Sequence, residues 1–238
     1  MKIAIIGRGN VGSHLSHYFA GIWPMTTLFP SDVSAAELVQ CDVVLVCIPD
    51  AAIAPWLASR KFGEDQVLVH CSGSTAIDAI PHAQAAVLYP LQTFTKGKEL
   101  NYPAIPFYYE TKGELAQSKM AELVSKLPNP TKPLDSPSRL KLHVSAVVGC
   151  NFSVAMLRIA EQQLNNMGLS RSDLQHLVQE SVDKFFDLGG SKSQTGPAQR
   201  ADISTINKHT NILKDQLDIQ NIYSLISEWI MKNKDGEL

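Results

Sequence analysis

Near the start of the chain, Gly7-Arg8-Gly9-Asn10-Val11-Gly12 spaces three glycines as G-x-G-x-x-G. The loop follows the β-branched run Lys2–Ile6 and opens an amphipathic stretch over Gly12–Gly21, a strand–turn–helix context that gives the spacing its meaning. The first glycine permits a tight turn, the second lets a pyrophosphate reach the backbone, and the third lets helix and strand pack closely. Unpaired N–H groups and the positive end of the dipole at the helix start favour an anion there. Gly7, Arg8, Gly9, Asn10, Val11 and Gly12 are therefore expected to seat a dinucleotide; the alternative is a tight βα turn that binds nothing. At the end of the second strand, Phe29-Pro30-Ser31, no carboxylate sits at the tip, and Asp32 comes one or two places late to hold a ribose 2′-hydroxyl. Ser31 with Arg8 suits a 2′-phosphate and favours NADP, with NAD as the alternative should Asp32 take the ribose.

Other residues with chemistry to offer lie at the ends of apolar runs. Ile48-Pro49-Asp50 closes one such run and Cys71-Ser72-Gly73 another, and ligands in open α/β sheets bind at the carboxyl ends of strands. Ile48, Pro49, Cys71, Ser72 and Gly73 are thus expected to face the nucleotide, although Asp50 could equally cap a helix and Ser72 merely shape a turn. Tyr89-Pro90-Leu91-Gln92-Thr93 ends a further strand and is expected to line the same cleft, with Gln92 as a substrate contact, the alternative being a rigid turn. His143 and Asn151 are eight residues apart on one predicted helix, within about 80° of one face. A neutral imidazole there could exchange a proton with a carbonyl or imine while the Asn amide orients it; the competing reading is packing at a domain junction. His14 and His17 have no Cys or carboxylate to complete a metal set and are expected to be exposed, so no metal site is assigned. Trp23, Trp56 and Trp229 read as packing residues.

The elements that must position these groups follow two rhythms. Strands are predicted at Lys2–Ile6, Met25–Phe29, Asp42–Ile48, Gln66–His70, Ala85–Tyr89 and Pro106–Tyr109, with helices at Gly12–Gly21, Ala35–Val39 and Ala51–Leu57 between them. Runs such as DVVLVCI, apolar on both faces, suit a parallel sheet covered by helices. Prolines at 128, 130, 133 and 137 prevent a continuous helix across Leu127–Pro137. Beyond it, helices are predicted at Leu140–Met167, Ser170–Leu188, Pro197–Gln216 and Ile219–Met231. The fold expected is an α/β Rossmann-like, doubly wound, mostly parallel sheet over 1–135 followed by an all-α domain over 136–238. In the third of those helices Arg200 would fall in the first turn, where the dipole disfavours a cation. It therefore calls for a partner: Asp202, a second subunit or an anionic substrate.

The 238 residues carry a formal net charge of −2, without the basic excess that holds nucleic acid. No contiguous apolar run reaches the roughly 18 residues of a membrane span, and Met1–Ile6 passes into Gly7-Arg8-Gly9 without a signal-peptide pattern. The four cysteines, Cys41, Cys47, Cys71 and Cys150, form neither a C-x-x-C pair nor a disulfide framework. A cytoplasmic protein is expected, with no nucleic-acid or membrane partner.

GRGNVGSHL, VCIPDAAI, HCSGS and YPLQTF, with Leu142-His143-Val144-Ser145-Ala146, Asn151 and the Thr195-Gly196-Pro197 loop before Arg200 and Asp202, resemble one family along essentially the whole chain. It is the NADP oxidoreductase (coenzyme F420-dependent)-like family, in the branch that joins a Rossmann-like domain to a helical domain of unknown function. The first-domain motifs are shared with relatives of pyrroline-5-carboxylate and 3-hydroxyisobutyrate reductases. The resemblance implies a reductase-like fold with a nucleotide site, usually a homodimer whose helical domains pack together, without naming a substrate. It makes Lys141 the rival proton donor to His143, since related dehydrogenases use a Lys and an Asn one turn apart; here Ser145 stands one turn on. Thr195 and Arg200 join Gln92 as candidate substrate residues. The function expected is NADP-dependent hydride transfer to or from a small carbonyl, hydroxyl or imine. The alternative is a non-catalytic nucleotide-binding module whose helical half serves assembly or partner binding.

Overall fold

The computed structural model describes residues 1–234. Its chain divides into two compact units, Met1–Asn151 and Phe152–Leu238.

The first unit is built on a seven-stranded sheet in the order β2-β1-β3-β4-β5-β6-β7. The strands are β1 (Ile3–Ile6), β2 (Thr26–Phe29), β3 (Val43–Val46), β4 (Val67–His70), β5 (Ala85–Pro90), β6 (Phe107–Lys112) and β7 (Thr131–Pro133). All neighbours are parallel except β5 and β6, which run antiparallel with Ala85 opposite Lys112 and Pro90 opposite Phe107. β1, β3, β4 and β5 are buried at every position, as the unbroken apolar runs require. Alternate side chains feed two cores. Ile3, Ile5, Val43, Leu45, Val67 and Val69 pack with α1 (Asn10–Ala20) and α4 (Glu114–Lys126), whereas Ala4, Ile6, Val44, Val46 and Leu68 pack with α2 (Ala35–Leu38) and α3 (Asp50–Ala58). Helices on both faces make the sheet doubly wound, and its chain order reverses between β1 and β3, which opens a crevice at the carboxyl ends.

β7 and α4 are absent from the sequence expectation. β7 lies within the proline-rich segment, where Pro133 is tolerated because β7 is an edge strand. The same segment also starts a helix earlier than expected. α5 (Ser136–Ala146) begins before Leu140 because Asp135 accepts from the Ser138 N–H at 2.8 Å and Pro137 sits in the first turn, where its missing N–H costs nothing. After α5 the helix widens into a π turn over Val147–Phe152 and continues as α6 (Ser153–Asn165). The expected single helix over Leu140–Met167 is therefore interrupted, and π turns of this kind recur at functional sites. Over Ser136–Asn165 the mean hydropathy reaches 1.5 in a window long enough to cross a membrane. The expectation concerned unbroken apolar runs; here Ser145, Asn151 and Ser153 break the run without lowering its average enough to exclude a span by length and composition.

The second unit continues with α7 (Ser172–Leu188), α8 (Gly190–Ser193), α9 (Ile203–Ile212) and α10 (Leu217–Asn233). The predicted helix over Pro197–Gln216 is shorter than expected. Residues 197–201 form turns, Ala201 adopts a positive φ of 53°, and Asp202 caps α9 by accepting from the Thr205 N–H at 3.0 Å and its hydroxyl at 2.7 Å. Of the three tryptophans, Trp23 and Trp56 are buried as expected, but Trp229 is exposed. Ala201 is the sole non-glycine residue with positive φ among those described, a region disfavoured by the clash of Cβ with the following carbonyl. Ala201→Gly should raise stability by about 1 kcal/mol, measured as a higher midpoint in chemical denaturation; an unchanged or lower midpoint would show that the turn carries no strain.

Candidate functional site

The glycine loop folds as its spacing demands. Gly7 has φ 104°, and a Cβ there would meet the Cys47 carbonyl oxygen at 2.5 Å. A Cβ on Gly12 would run into the Gly7 carbonyl, with the Cys47 side chain close behind. Gly9, by contrast, is exposed and has nothing within 4 Å of the place a Cβ would take. The first and third glycines thus pack the loop down while the second faces open space. No side chain caps the start of α1, and its first turn holds no acidic residue. The positive end of the helix is left to an incoming anion, so the loop fits a dinucleotide pyrophosphate.

Around this cradle the predicted contacts fall unevenly. Ile48 and Pro49 follow β3, with the Ile48 side chain 3.1 Å from the Cβ position of Gly7. Asp50, rather than capping, is the first residue of α3, with Pro49 at the cap, and it accepts from the Ser74 hydroxyl at 2.6 Å. The Ser72 hydroxyl is used inside the turn after β4, accepting from the N–H groups of Ser74 and Thr75 at 3.1 and 2.9 Å. Cys71 donates to the Val46 carbonyl at 3.6 Å, and the Cys71 side chain first, then burial, raises the pKa of the neighbouring Cys47 thiol. Arg8 and Ser31 are both exposed. Beside Ser31 stands a guanidinium the sequence reading missed. Arg60 lies 4.1 Å from the Trp56 ring centroid and donates to the Ser31, Val33 and Trp56 carbonyls at 3.1–3.3 Å. The Trp56-to-Arg60 spacing of four was its available signal.

A second group of residues gathers at the carboxyl ends of β4 and β5. The Tyr89 hydroxyl and His143 Nδ1 are 3.1 Å apart, with the rings edge to face. Both press on Gly73, where a Cβ would come within 2.6 Å of Nδ1 and 2.9 Å of the Tyr89 ring. Gly73 is therefore needed for close approach. Burial first, and Asp50 second, raise the Tyr89 pKa. A cavity of about 320 Å³ is lined by Tyr89, Gln92, Thr93, His143, Cys150 and Asn151 among others. His143 and Asn151 thus meet Gln92 in one cavity. Lys141 is exposed and is not among the residues lining it.

His143 is placed by a residue one turn earlier on α5. Arg139 is 1% exposed; it pairs with Glu110 of β6 at 2.7 Å and donates to the Thr75 carbonyl at 2.7 Å and the Ser136 hydroxyl at 3.0 Å. Ser136 in turn donates to Glu110 at 2.6 Å and accepts from the Ile77 N–H at 3.0 Å. A buried charge of this kind leaves no hydrophobic signature in the sequence.

The histidines of α1 divide. His17 is exposed as expected, but His14 is buried, one ring nitrogen 2.8 Å from the Tyr102 hydroxyl and the other 2.8 Å from the Thr95 carbonyl. The expectation of two exposed histidines fails for His14 because aromatic residues distant in sequence, Phe94 and Tyr102, close over it. In the second unit, Thr195 lines an apolar cavity of about 440 Å³ with Pro197, His209 and Tyr223. Arg200 precedes α9 instead of lying in a helical first turn, which removes the dipole conflict. Asp202 is engaged by Thr205, and no ion pair within 4 Å involves Arg200 among the described residues.

Sheet order and glycine cradle together define a Rossmann-like α/β protein followed by a helical region. Residues 105–230 match DUF2520, a domain of unknown function, and the chain belongs to that family. A Bacteroides fragilis protein assigned as an NADP oxidoreductase is 26% identical, with a TM-score of 0.83 over 97% of this chain and 98% of its own. A Thermotoga maritima protein is 20% identical, with a TM-score of 0.71 over 99% and 92%. A reductive aminase from Aspergillus terreus, in complex with NADPH and ethyl levulinate, shares the fold at 14% identity and a TM-score of 0.72 over 99% and 95%. No curated protein matches the chain.

One histidine in this region has a testable titration. His70 ends β4 with no exposed surface, and burial first, then the Arg139 charge, lowers its pKa from 6.5 to about 4. The unfolded chain therefore binds a proton between these values that the folded protein refuses, so stability is full above pH 6.5, declines as pH falls, and levels off below pH 4. Between pH 6.5 and 5.5, above most carboxylate titrations, the loss should be about 1 kcal/mol. Unfolding free energies at the two pH values should show that slope in the native chain and a flatter one in His70→Asn. Equal slopes would exclude His70 as the source.

Proposed function

We propose that the chain is a cytoplasmic, homodimeric NADP-dependent oxidoreductase acting on a small carbonyl, hydroxyl or imine. The observation that carries this reading is the Tyr89–His143 pair over Gly73, at the carboxyl end of the same sheet whose glycine loop presents an uncapped helix start. Bound NADP would supply or accept the hydride, and the protein supplies position and electrostatics. NADP over NAD is supported by the Arg60 guanidinium beside Ser31, by the absence of a carboxylate at the tip of β2, and by the NADPH-bound reductases of like fold.

Tyr89, buried on β5, donates to His143 Nδ1 and leaves the imidazole proton on Nε2. In reduction that proton goes to the substrate oxygen or nitrogen while the Tyr89 hydroxyl proton passes to Nδ1 and is replaced from solvent, and oxidation runs the same path in reverse. Asn151 and Gln92, in the same cavity, orient the substrate. The dimer is supported by apolar side chains left exposed on the long helix and after it, among them Val144, Val148, Leu157, Phe185, Phe186 and Trp229. In this reading the apolar stretch of α5–α6 is a subunit surface and not a membrane span.

Titration by fluorescence should give tighter binding of NADPH than of NADH; failure of both to bind well above micromolar concentrations would sink the proposal. With a turnover assay from a carbonyl and imine screen, Tyr89→Phe should lower kcat at least tenfold and shift the pH profile, with the NADPH Kd unchanged. An unchanged kcat would remove the pair from the chemistry. Sedimentation should give a mass of two chains, and a monomer at all accessible concentrations would overturn the dimer.

A further inference from the structure

The loop that follows β5 is gripped by α1 in a way the function above does not use. Asn10 and His14 lie four residues apart, on one face of α1. The Asn10 side-chain oxygen accepts from the Lys96 N–H at 3.3 Å, and His14 Nε2 meets the Thr95 carbonyl at 2.8 Å. The two side chains therefore hold both ends of one peptide unit, Thr95–Lys96. A carbonyl can only accept, so His14 carries its proton on Nε2 and takes the Tyr102 hydroxyl on Nδ1, at 2.8 Å. Phe94, with its ring centroid 5.4 Å from that of His14, packs against the same imidazole. Burying a histidine with both nitrogens engaged is an unusual expense for an irregular surface loop, and its effect is to fix where Lys96 leaves the chain.

That place is beside the first residue of α1. The Lys96 backbone nitrogen sits against the side chain of Asn10, the residue after Gly9, and its ammonium swings on a flexible stem about 6 Å long. Lys96 is exposed, the first turn of α1 offers it no acidic partner, and no described ion pair within 4 Å involves it. We propose that residues 93–96 form a clamp over the glycine loop, in which Lys96 pairs with the pyrophosphate of the bound dinucleotide and His14 is the positioning residue that holds the loop in place. The ligand chemistry is a nucleoside pyrophosphate, held from below by the helix start and from above by a cation. This inference rests on the nucleotide site proposed above, and its test separates the two.

NADPH and NADH dissociation constants are measured by fluorescence at several salt concentrations for the native chain, Lys96→Ala, His14→Phe and the double variant. Both nucleotides carry the pyrophosphate, so Lys96→Ala should weaken both by a similar factor, about five- to tenfold, and make binding less salt-dependent. His14→Phe, which keeps an aromatic body but cannot hold Thr95, should weaken binding in the native background and add nothing in the Lys96→Ala background; His14→Gln, which retains a donor, should restore affinity. Equal affinity of Lys96→Ala and the native chain would overturn the clamp, as would a loss confined to NADPH, which would put Lys96 at the 2′-phosphate. Full additivity of the two substitutions would overturn the positioning role of His14. Should His14→Phe not fold, Asn10→Ala releases the other end of the same peptide and replaces it in the cycle. If the native chain binds neither nucleotide, the nucleotide reading itself fails, an outcome distinct from a native chain that binds while Lys96→Ala binds as well.

Discussion

Around Arg139 three parts of the first unit are joined at one guanidinium. Its pair with Glu110 reaches β6, its bond to the Thr75 carbonyl reaches the loop after β4, and its bond to Ser136 closes the first turn of its own helix. Taking a cation and a carboxylate out of water is costly, and a hydrophobic replacement of like volume is often as stable. What the pair provides here is registry: helix α5 cannot slide or rotate on the sheet without leaving a buried charge unpaired, a loss of roughly 3–5 kcal/mol. Because His143 is one turn further along, the same constraint sets the distance from its imidazole to Tyr89 and the approach to Gly73. It also depresses the His70 pKa, the charge of Arg139 adding to burial. A structural ion pair and the electrostatics of the candidate site are, in this molecule, one arrangement.

The glycine loop obeys a different kind of constraint, one of space. Gly7 and Gly12 are fixed by backbone atoms that no side-chain adjustment could move aside, whereas Gly9 meets nothing. The loop thus separates its structural glycines from the one that faces open space. Under the proposed function, discrimination between dinucleotides falls to the residues at the tip of β2 and after α3, where the Arg60 guanidinium donates to the Ser31 carbonyl.

These two kinds of constraint explain how much could be read in advance. The central strands were legible because burial on both faces writes an unbroken apolar run, as in Val43–Val46, and the cradle was legible because steric rules attach to glycine at fixed spacing. His143, Asn151 and Gln92 were singled out from type and spacing, and the fold brings them to one cavity. Arg139, the pairing of Tyr89 with His143 and the buried state of His14 were not legible, since each depends on a partner 29 to 88 residues away. α4 escaped notice because its buried positions, Ala116, Met120 and Leu123, are few and its exposed face is charged. The overlong helix after Pro197 has a local cause: proline suits a first helical turn, but the positive φ of Ala201 ends the turn before a helix can form.

The second unit shows where sequence and a single chain both stop short. Its helices have the periodicity of packed elements, yet of their large apolar side chains only Leu164, Ile206 and Ile219 are buried, while Phe186 is 79% exposed and Leu225 66%. Hydrophobic periodicity states that a face will be covered; it does not state by what. An amphipathic helix such as α7, with no buried residue at all, gains little from folding unless that face meets another surface. Thr195 and Arg200 belong to this unit, and their surroundings are set by whatever completes it. The glycine cradle and the Tyr89–His143 pair, by contrast, are complete within the first unit. Under the proposed function, the nucleotide seat and the proton-transfer pair thus belong to the first unit, and Thr195 and Arg200 to the second.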